Sequence, residues 1–182
     1  MEIKTPRLLI KPLGPAFLET VQQYAGDPEN TKFMRDLPSE KPEDTLRFLT
    51  RAGKEWEKAE QSKDLNACSY YEFAVLWEGI HVAAVSLYPD EIRKTAELGW
   101  ITNKAYWGHG FSFEAVQAVI AFAAAELHIY RFIAHCDTEN DISRRFMEKL
   151  GMTRTAEYGG RHNKGSDEER REYEYELVVP AP

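Results

Sequence analysis

The sequence predicts a single mixed α/β domain, in which one sheet packs against helices over residues 1–182. A chain of 182 residues is a usual length for one domain and can bury a substantial core. Two β-rich segments meet at Glu78 and Gly79, and this pattern predicts a hairpin. In the second half of the chain, strand patterns alternate with helix patterns, which implies at least one parallel β-α-β crossover.

The first half begins with an apolar strand pattern over Arg7 to Leu13. Apolar residues at helical spacing predict a short helix from Phe17 to Tyr24, and Asp27 to Asn30 have the composition of a turn. A proline followed by acidic residues predicts that a second helix starts at Pro42 and continues to Ala59. One face of that helix would carry Leu46, Leu49, Gly53 and Trp56.

The remaining elements follow in a regular order. Gly99 lies inside the strand that follows the hairpin, where a glycine often accompanies a bulge. Gly151 comes directly after the last helix pattern and is expected to end that helix. In chain order we expect hairpin strands over 70–79 and 80–89, a strand over 95–102, a helix from about 112 to 128, a strand over 130–138, a helix that starts near 140, and strands over 153–160 and 171–179.

Composition limits the classes of function. The formal net charge of -7 and the pI near 5.3 disfavour nonspecific nucleic-acid binding and mildly favour cationic partners such as amines. No apolar run approaches the roughly 20 residues of a membrane span, and no signal-peptide pattern begins the chain. Cys68 and Cys136 have neither disulfide-framework nor zinc-site spacing. We therefore expect a cytoplasmic protein without a metal, a nucleic-acid partner or a membrane partner.

The segment "YWGHGFSFEA" places Gly108 and Gly110 directly before an apolar helix pattern. A helix N-terminus has unpaired backbone N–H groups and a partial positive charge, and glycines let an anion approach them closely. An ordinary strand-to-helix turn explains the glycines equally well. The spacing fits neither a P-loop nor a complete dinucleotide-binding fingerprint.

The same segment resembles the acyl-CoA pyrophosphate loop of the GCN5-related N-acetyltransferases (GNAT), above all their ribosomal-protein and N-terminal acetyltransferase branch. Three further segments match that branch in order: "TPRLLIKPL", "AELGWIT" and "NDISRRFMEKLGM". The resemblance runs from about Thr5 to Leu177 and departs from the usual loop at Trp107-Gly108 and His109. It implies a twisted, mixed, mostly antiparallel sheet of about six or seven strands, about four flanking helices, and two central strands that splay apart.

The activity that the resemblance implies is acetyl transfer from acetyl-CoA to a primary amine, by direct attack in a ternary complex. The acceptor would be a protein N-terminus or a small amine, and a homodimer stays open. A noncatalytic acyl-CoA sensor on the same fold is the alternative. The residues that the resemblance assigns to cofactor binding are Trp100, Ile101, Thr102, Trp107, Gly108, His109, Gly110, Phe111, Ser112 and Asn140.

Two residues are the catalytic candidates that the resemblance implies. Glu97 would take the proton of the amine if burial raises its pKa, while Glu72 and Glu114 are weaker alternatives. Ser143 would protonate the thiolate, whose ordinary pKa near 8.5 makes it a fair leaving group. Glu97 also fits an exposed strand residue, and Asn140 and Ser143 also fit a helix N-cap.

Other reactive side chains have simpler explanations. Cys136 lies in an apolar strand and is expected to be a buried structural thiol rather than an acyl carrier. His128 and His135 are interpreted as structural or surface residues. Arg144 and Arg145 could bind the 3′-phosphate of the cofactor, although a solvated helix face explains them as well. The charged run from Arg161 to Glu176 is interpreted as a loop and an edge strand that could contact the acceptor.

Overall fold

A computed structural model describes residues 1–35 and 41–181 of the chain. In this part of the chain, strands β1 to β8 form one sheet in the order β1-β2-β3-β4-β5-β6-β8-β7. Only the β5–β6 pair is parallel, and the other six neighbouring pairs are antiparallel. The strands are β1 (Ile3–Lys4), β2 (Leu8–Pro12), β3 (Tyr71–Trp77), β4 (Ile80–Pro89), β5 (Thr95–Thr102), β6 (Arg131–Asp137), β7 (Thr153–His162) and β8 (Glu169–Val178).

Helices flank this sheet, so the predicted mixed fold is confirmed. The described residues contain one strand and one helix more than the sequence predicts, because β1 is too short to show a period and α2 forms where a turn is expected. Asp27 caps α2 by accepting a hydrogen bond from the N–H of Glu29 at 2.9 Å. No described helix combines the length and the apolar character that a membrane span requires. The helices are α1 (Leu18–Ala25), α2 (Pro28–Thr31), α3 (Pro42–Ser62), α4 (Phe111–Glu126) and α5 (Asp141–Lys149).

The predicted hairpin joins β3 to β4 through Glu78 and Gly79. Both residues have positive φ, 50° and 81° respectively, as a two-residue turn between twisted antiparallel strands requires. Gly79 adopts this conformation without steric cost.

The core has two parts, one on each face of the sheet. Helix α4 packs on one face with residues such as Val116 and Val119, and α1 packs on the other with Val21 and Tyr24. The predicted inner face of α3 is correct for Leu49 and Trp56 and wrong for Leu46, whose side chain is 41% exposed. A helix turns about 100° per residue, so the neighbouring row of the helix faces inward instead. That row is Thr45, Leu49, Ala52, Trp56 and Ala59.

Strands β5 and β6 separate after a short parallel pairing. They pair from Thr95↔Arg131 to Glu97↔Ile133, whereas β5 continues to Thr102 and β6 to Asp137. The expected crossover and splay are thus both present. The bulge expected at Gly99 is not, because β4 and β5 stay in register from Ala83↔Thr102 to Pro89↔Ala96. Gly99 lies opposite Ser86 instead, where a Cβ atom would come within 3.5 Å of the Ser86 Cβ.

Candidate active site

An open pocket of about 480 Å³ lies beside the point where β5 and β6 separate, on the face of the sheet that α1 covers. Carboxyl ends of parallel strands lie at the same edge of a sheet. Here the end of β5 leads to the N-terminus of α4, and the end of β6 leads to the N-terminus of α5. Five of the predicted site residues line the pocket: Glu97, Trp100, Ile101, Asn140 and Ser143. The other predicted residues, Thr102 and the segment from Trp107 to Ser112, form the approach to α4.

The glycine turn, residues 107–110, ends at an uncapped helix. Gly108 and Gly110 have φ values of 80° and 74°, in the left-handed region that glycine adopts readily. Gly110 is the N-cap residue and supplies no side-chain cap, and the first helical hydrogen bond runs from the N–H of Glu114 to the Gly110 carbonyl at 3.1 Å. The N–H groups of Phe111, Ser112 and Phe113 precede that bond, so they are suited to bind an anion.

Side chains tie the glycine turn to the end of β5. The Trp107 indole donates to the Thr102 carbonyl at 3.0 Å, and the hydroxyl groups of Thr102 and Ser112 are hydrogen-bonded to each other. His109 Nδ1 lies 3.0 Å from the Trp107 carbonyl, which favours the tautomer with hydrogen on Nδ1. The exposed His109 ring also stacks on Phe111 at 5.3 Å, so the loop itself holds this ring in place.

Arg7 also holds the glycine turn, although it is not among the predicted site residues. Its Nη1 donates to the His109 carbonyl at 3.0 Å, and its Nε donates to Glu114 at 2.6 Å. Desolvation would raise the pKa of Glu114, but hydrogen bonds from Thr5 and Arg7 outweigh it and hold that pKa below its ordinary value. Glu114 is therefore a poor candidate base. Arg7 lies 102 residues before His109, so no local pattern could reveal the contact.

Glu97 differs from its prediction in burial. Its side chain is 48% exposed, so Glu97 does not meet the condition of burial. Instead its Oε1 lies 2.9 Å from Nδ1 of His135, whose Nε2 lies 3.3 Å from Glu174. The bond to Glu97 is the largest cause that raises the pKa of His135, and Glu174 adds to it. His135 also lines the pocket beside Glu97, and its contacts with two glutamates are compatible with its interpretation as a structural or surface residue.

Glu72 meets the burial condition that Glu97 does not. It is only 2% exposed, it lines the same pocket, and burial raises its pKa from 4.5 to about 7. Ser86 donates to its Oε2 at 2.8 Å, and Tyr88 donates to its Oε1. The pocket therefore contains two different carboxyl groups. Glu97 is half exposed and lies beside a histidine, whereas Glu72 is buried and lies beside two hydroxyl groups.

Helix α5 brings Asn140 and Ser143 to the pocket. Asn140 caps the helix, because its Oδ1 accepts a hydrogen bond from the Ser143 N–H at 3.1 Å. Both side chains nevertheless line the pocket, so the cap and a site role are compatible. Phe146 of α5 stacks on Trp100 of β5 at 4.4 Å and thereby packs the helix against the strand.

The remaining candidates mostly follow the simpler explanations. Burial raises the pKa of Cys136 to about 11, which disfavours the thiolate that an acyl carrier needs. Arg144 forms ion pairs with Asp141 and Glu148 on its own helix, as a solvated helix face does. His128 is exposed at the surface. No group of three metal-ligating side chains occurs within residues 1–35 and 41–181.

The charged run from Arg161 to Glu176 covers the end of β7, a turn and most of β8, and the expected edge strand is wrong because β8 lies between β6 and β7. Its first residue, Arg161, is 5% exposed and lines the pocket. The Arg161 guanidinium bonds Glu172 at 2.8 Å and the Phe33 carbonyl at 2.6 Å. This arginine therefore holds the pocket wall together through protein contacts.

Comparisons with known proteins agree with this geometry. The family described as "Acetyltransferase (GNAT) domain" matches residues 7–153. The "Uncharacterized N-acetyltransferase YnaD" of Bacillus subtilis (strain 168) is 30% identical over 156 residues, which are 85% of this chain and 84% of the relative. A crystal structure of a GNAT-family acetyltransferase from Bacillus anthracis is 29% identical and covers 98% of both chains with a TM-score of 0.79.

A further solved structure shares the fold alone. It is RimL, a ribosomal L7/L12 alpha-N-protein acetyltransferase in complex with coenzyme A. The two chains cover 100% of each other with a TM-score of 0.83, at only 14% identity.

Proposed function

The chain belongs to the GNAT acetyltransferase family and is an acetyl-CoA-dependent acyltransferase, and we propose that it acetylates a primary amine by direct attack in a ternary complex. The observation that carries this proposal is the gap between β5 and β6. An uncapped helix N-terminus lies at the end of this gap, and a pocket with two carboxyl groups lies beside it. An anionic donor and a cationic acceptor could therefore meet there.

The cofactor would be held mostly by main-chain groups. The N–H groups at the start of α4 are suited to its pyrophosphate, and the glycine turn leaves no side chain in the way. Beyond Glu97, the edge of β5 that faces β6 has no strand partner, so Trp100, Ile101 and Thr102 can offer main-chain groups to the pantetheine arm and the thioester carbonyl. A backbone N–H that faces a developing oxyanion contributes roughly 3 kcal/mol.

The proton of the amine would leave through Glu97. An α-amine has an ordinary pKa near 8 and a lysine amine one near 10.4, so either acceptor must lose a proton before it attacks. Glu97 is exposed to the pocket and can accept that proton, while His135 keeps the carboxylate oriented through the 2.9 Å contact. Ser143 would return a proton to the departing thiolate, since it lines the same pocket.

The test compares Glu97→Gln with Glu91→Gln, a substitution at an exposed glutamate between β4 and β5. Acetyl-CoA binding is measured by calorimetry, and acetyl transfer is measured on a panel of N-terminal peptides and small amines. We expect Glu97→Gln to lower kcat by about 100-fold with an unchanged Kd for acetyl-CoA, because general bases contribute about that much. Glu91→Gln should match the wild type.

Three outcomes would count against the proposal. Failure of the wild type to bind acetyl-CoA would contradict it entirely. An unchanged kcat in Glu97→Gln would remove Glu97 from the mechanism. Tight binding without transfer to any amine would favour the noncatalytic acyl-CoA sensor.

A further inference from the structure

Glu72 is a buried carboxyl group, and its side-chain hydrogen bonds within the described residues come from hydroxyl groups. It lies in a row of cross-strand neighbours, Glu72↔Ser86 and Ser86↔Gly99, so all three residues point to the same face of the sheet. Gly99 has no side chain, and the space above it belongs to the pocket that Glu72 lines. Glu72 is therefore part of the pocket wall, although it is only 2% exposed.

The two arginines that line the pocket do not neutralise Glu72. Arg35 lies 3.5 Å from Glu172, and Arg161 lies 2.8 Å from the same carboxylate. The side-chain partners of Glu72 within the described part of the chain are the hydroxyl groups of Ser86 and Tyr88. A buried carboxylate without a cationic partner is costly, and a cationic ligand would remove that cost.

Two tyrosines lie close enough to Glu72 for its charge to raise their pKa values. Helix α1 presents Tyr24, whose pKa is raised by burial and by the charge of Glu72. On the β3 side, burial, Glu55 and then Glu72 raise the pKa of Tyr70. The main-chain carbonyl of Glu72 accepts a hydrogen bond from Trp56 of α3 at 2.8 Å, and the Trp56 ring packs with Tyr71 and Phe73. Across β4, Tyr88 pairs with Glu97, the other carboxylate of the pocket.

We propose that Glu72 binds a second positively charged group of the acceptor, so that the substrate is an aliphatic amine with two cationic ends. This inference rests on the proposed acetyl transfer and deepens it. Glu97 would receive the reacting amine, and Glu72 would bind the distant ammonium group. Two strand spacings and two residues along the strand separate the two glutamates, roughly 12 Å between their Cα atoms.

The remaining pocket wall suits the carbon chain between two such ends. It contains apolar side chains from α1, α3 and the segments around them, including Leu13, Val21, Phe33, Met34 and Phe48. An alkyl chain would bury apolar surface against them, which is favourable. The aromatic rings among them, and Tyr88 beside Glu72, also favour a nearby cation.

The test uses two acceptors that share one reactive end, 1,4-diaminobutane and butylamine. We expect the wild-type KM to be at least tenfold lower for the diamine, and we expect Glu72→Gln to bring the ratio of the two KM values close to one. Tyr88→Phe keeps the fold readily, because its side chain is at the surface, and it should reduce the ratio several-fold because it removes a donor to Glu72. Glu91→Gln should leave the ratio unchanged.

Binding of 1,4-diaminobutane without acetyl-CoA, measured by calorimetry, separates this inference from the acetyl transfer itself. Weakening of that binding by at least tenfold in Glu72→Gln supports the inference even if no amine is acetylated. A wild type that shows no preference for the diamine overturns it. The inference is also overturned if Glu72→Gln keeps the ratio of the two KM values while kcat falls for both acceptors, since Glu72 would then act as a base.

Discussion

Glu72 and Glu97 are the same residue type in one pocket, and they differ in burial and in their partners. Glu97 is half exposed and contacts His135. Glu72 is buried beside two hydroxyls and has a pKa of about 7. Environment separates the roles of paired carboxyl groups in many active sites.

Burial of Glu72 makes the stability of the free protein depend on pH. The folded protein keeps this proton up to a pKa of about 7, whereas the unfolded chain loses it near 4.5. The free energy of unfolding should therefore fall by about 3 kcal/mol as the pH rises through this window. Glu72→Gln has no such titration, so its urea-unfolding free energy should change less between pH 5 and pH 8. Equal slopes in both proteins would contradict the assignment.

Among the elements, α4 has an N-terminus without a side-chain cap, which is suited to an anion. Its N-cap is a glycine without a side-chain cap, and the turn before it is held by Arg7 through the His109 carbonyl and Glu114. The guanidinium also lies 5.0 Å from the centre of the Phe111 ring. The Arg7 guanidinium therefore makes three contacts with the glycine turn and the first helical turn, which restrict the orientation of the N–H groups.

Arg7→Ala should raise the Kd for coenzyme A several-fold, because the N–H groups of the turn would no longer be held in one orientation. Calorimetry measures the effect. Arg7→Lys is compared with it, since lysine keeps the charge but lacks the planar group that reaches both the His109 carbonyl and Glu114. We expect it to restore little of the affinity for coenzyme A. Arg51→Ala, at an exposed position of α3, is the control. Full rescue by lysine would show that only charge matters at this position.

At the scale of the whole molecule, the gap between β5 and β6 lies beside contacts that join distant elements. The two strands pair directly only up to Glu97↔Ile133. Beyond that point, a buried network around Asp137 joins β6 to the β7–β8 hairpin: Arg170 and Asn163 donate to its carboxylate, at 3.1 Å and 2.6 Å. Arg161 bonds Asn163 in turn and reaches the Phe33 carbonyl across the pocket.

Asp137→Ala should lower the free energy of unfolding by about 3 kcal/mol at pH 7, because it leaves buried charges without their partner. Desolvation would raise the pKa of Asp137, but hydrogen bonds from the Glu139 N–H, Arg170 and Asn163 lower it, so its contribution is present at neutral pH and is lost as the pH falls. Urea unfolding measures both effects. Asp141→Ala, which breaks an exposed ion pair, should cost less than about 1 kcal/mol. Equal losses in the two variants would contradict the role of the network.

Much of the fold and part of the site follow from local sequence patterns. The hairpin at Glu78-Gly79 and the glycine turn depend on the backbone freedom of glycine, and the strands and helices depend on apolar periodicity. Glu97, Trp100, Ile101, Asn140 and Ser143 line the pocket as the resemblance of their segments implies. These features depend on neighbours in the chain, so a sequence read alone can reveal them.

Only the tertiary structure decides which distant side chains meet. His135 reaches Glu97 over 38 residues, Arg7 reaches His109 over 102, and Arg161 reaches Phe33 over 128. The burial of Glu72, the exposure of Glu97 and the absence of a bulge at Gly99 likewise depend on the strands and helices that pack beside them. The sequence by itself therefore determined the elements and the types of side chain that they carry. Packing decided that Glu72 is buried and that Glu97 is half exposed, because desolvation depends on neighbours that no local pattern specifies.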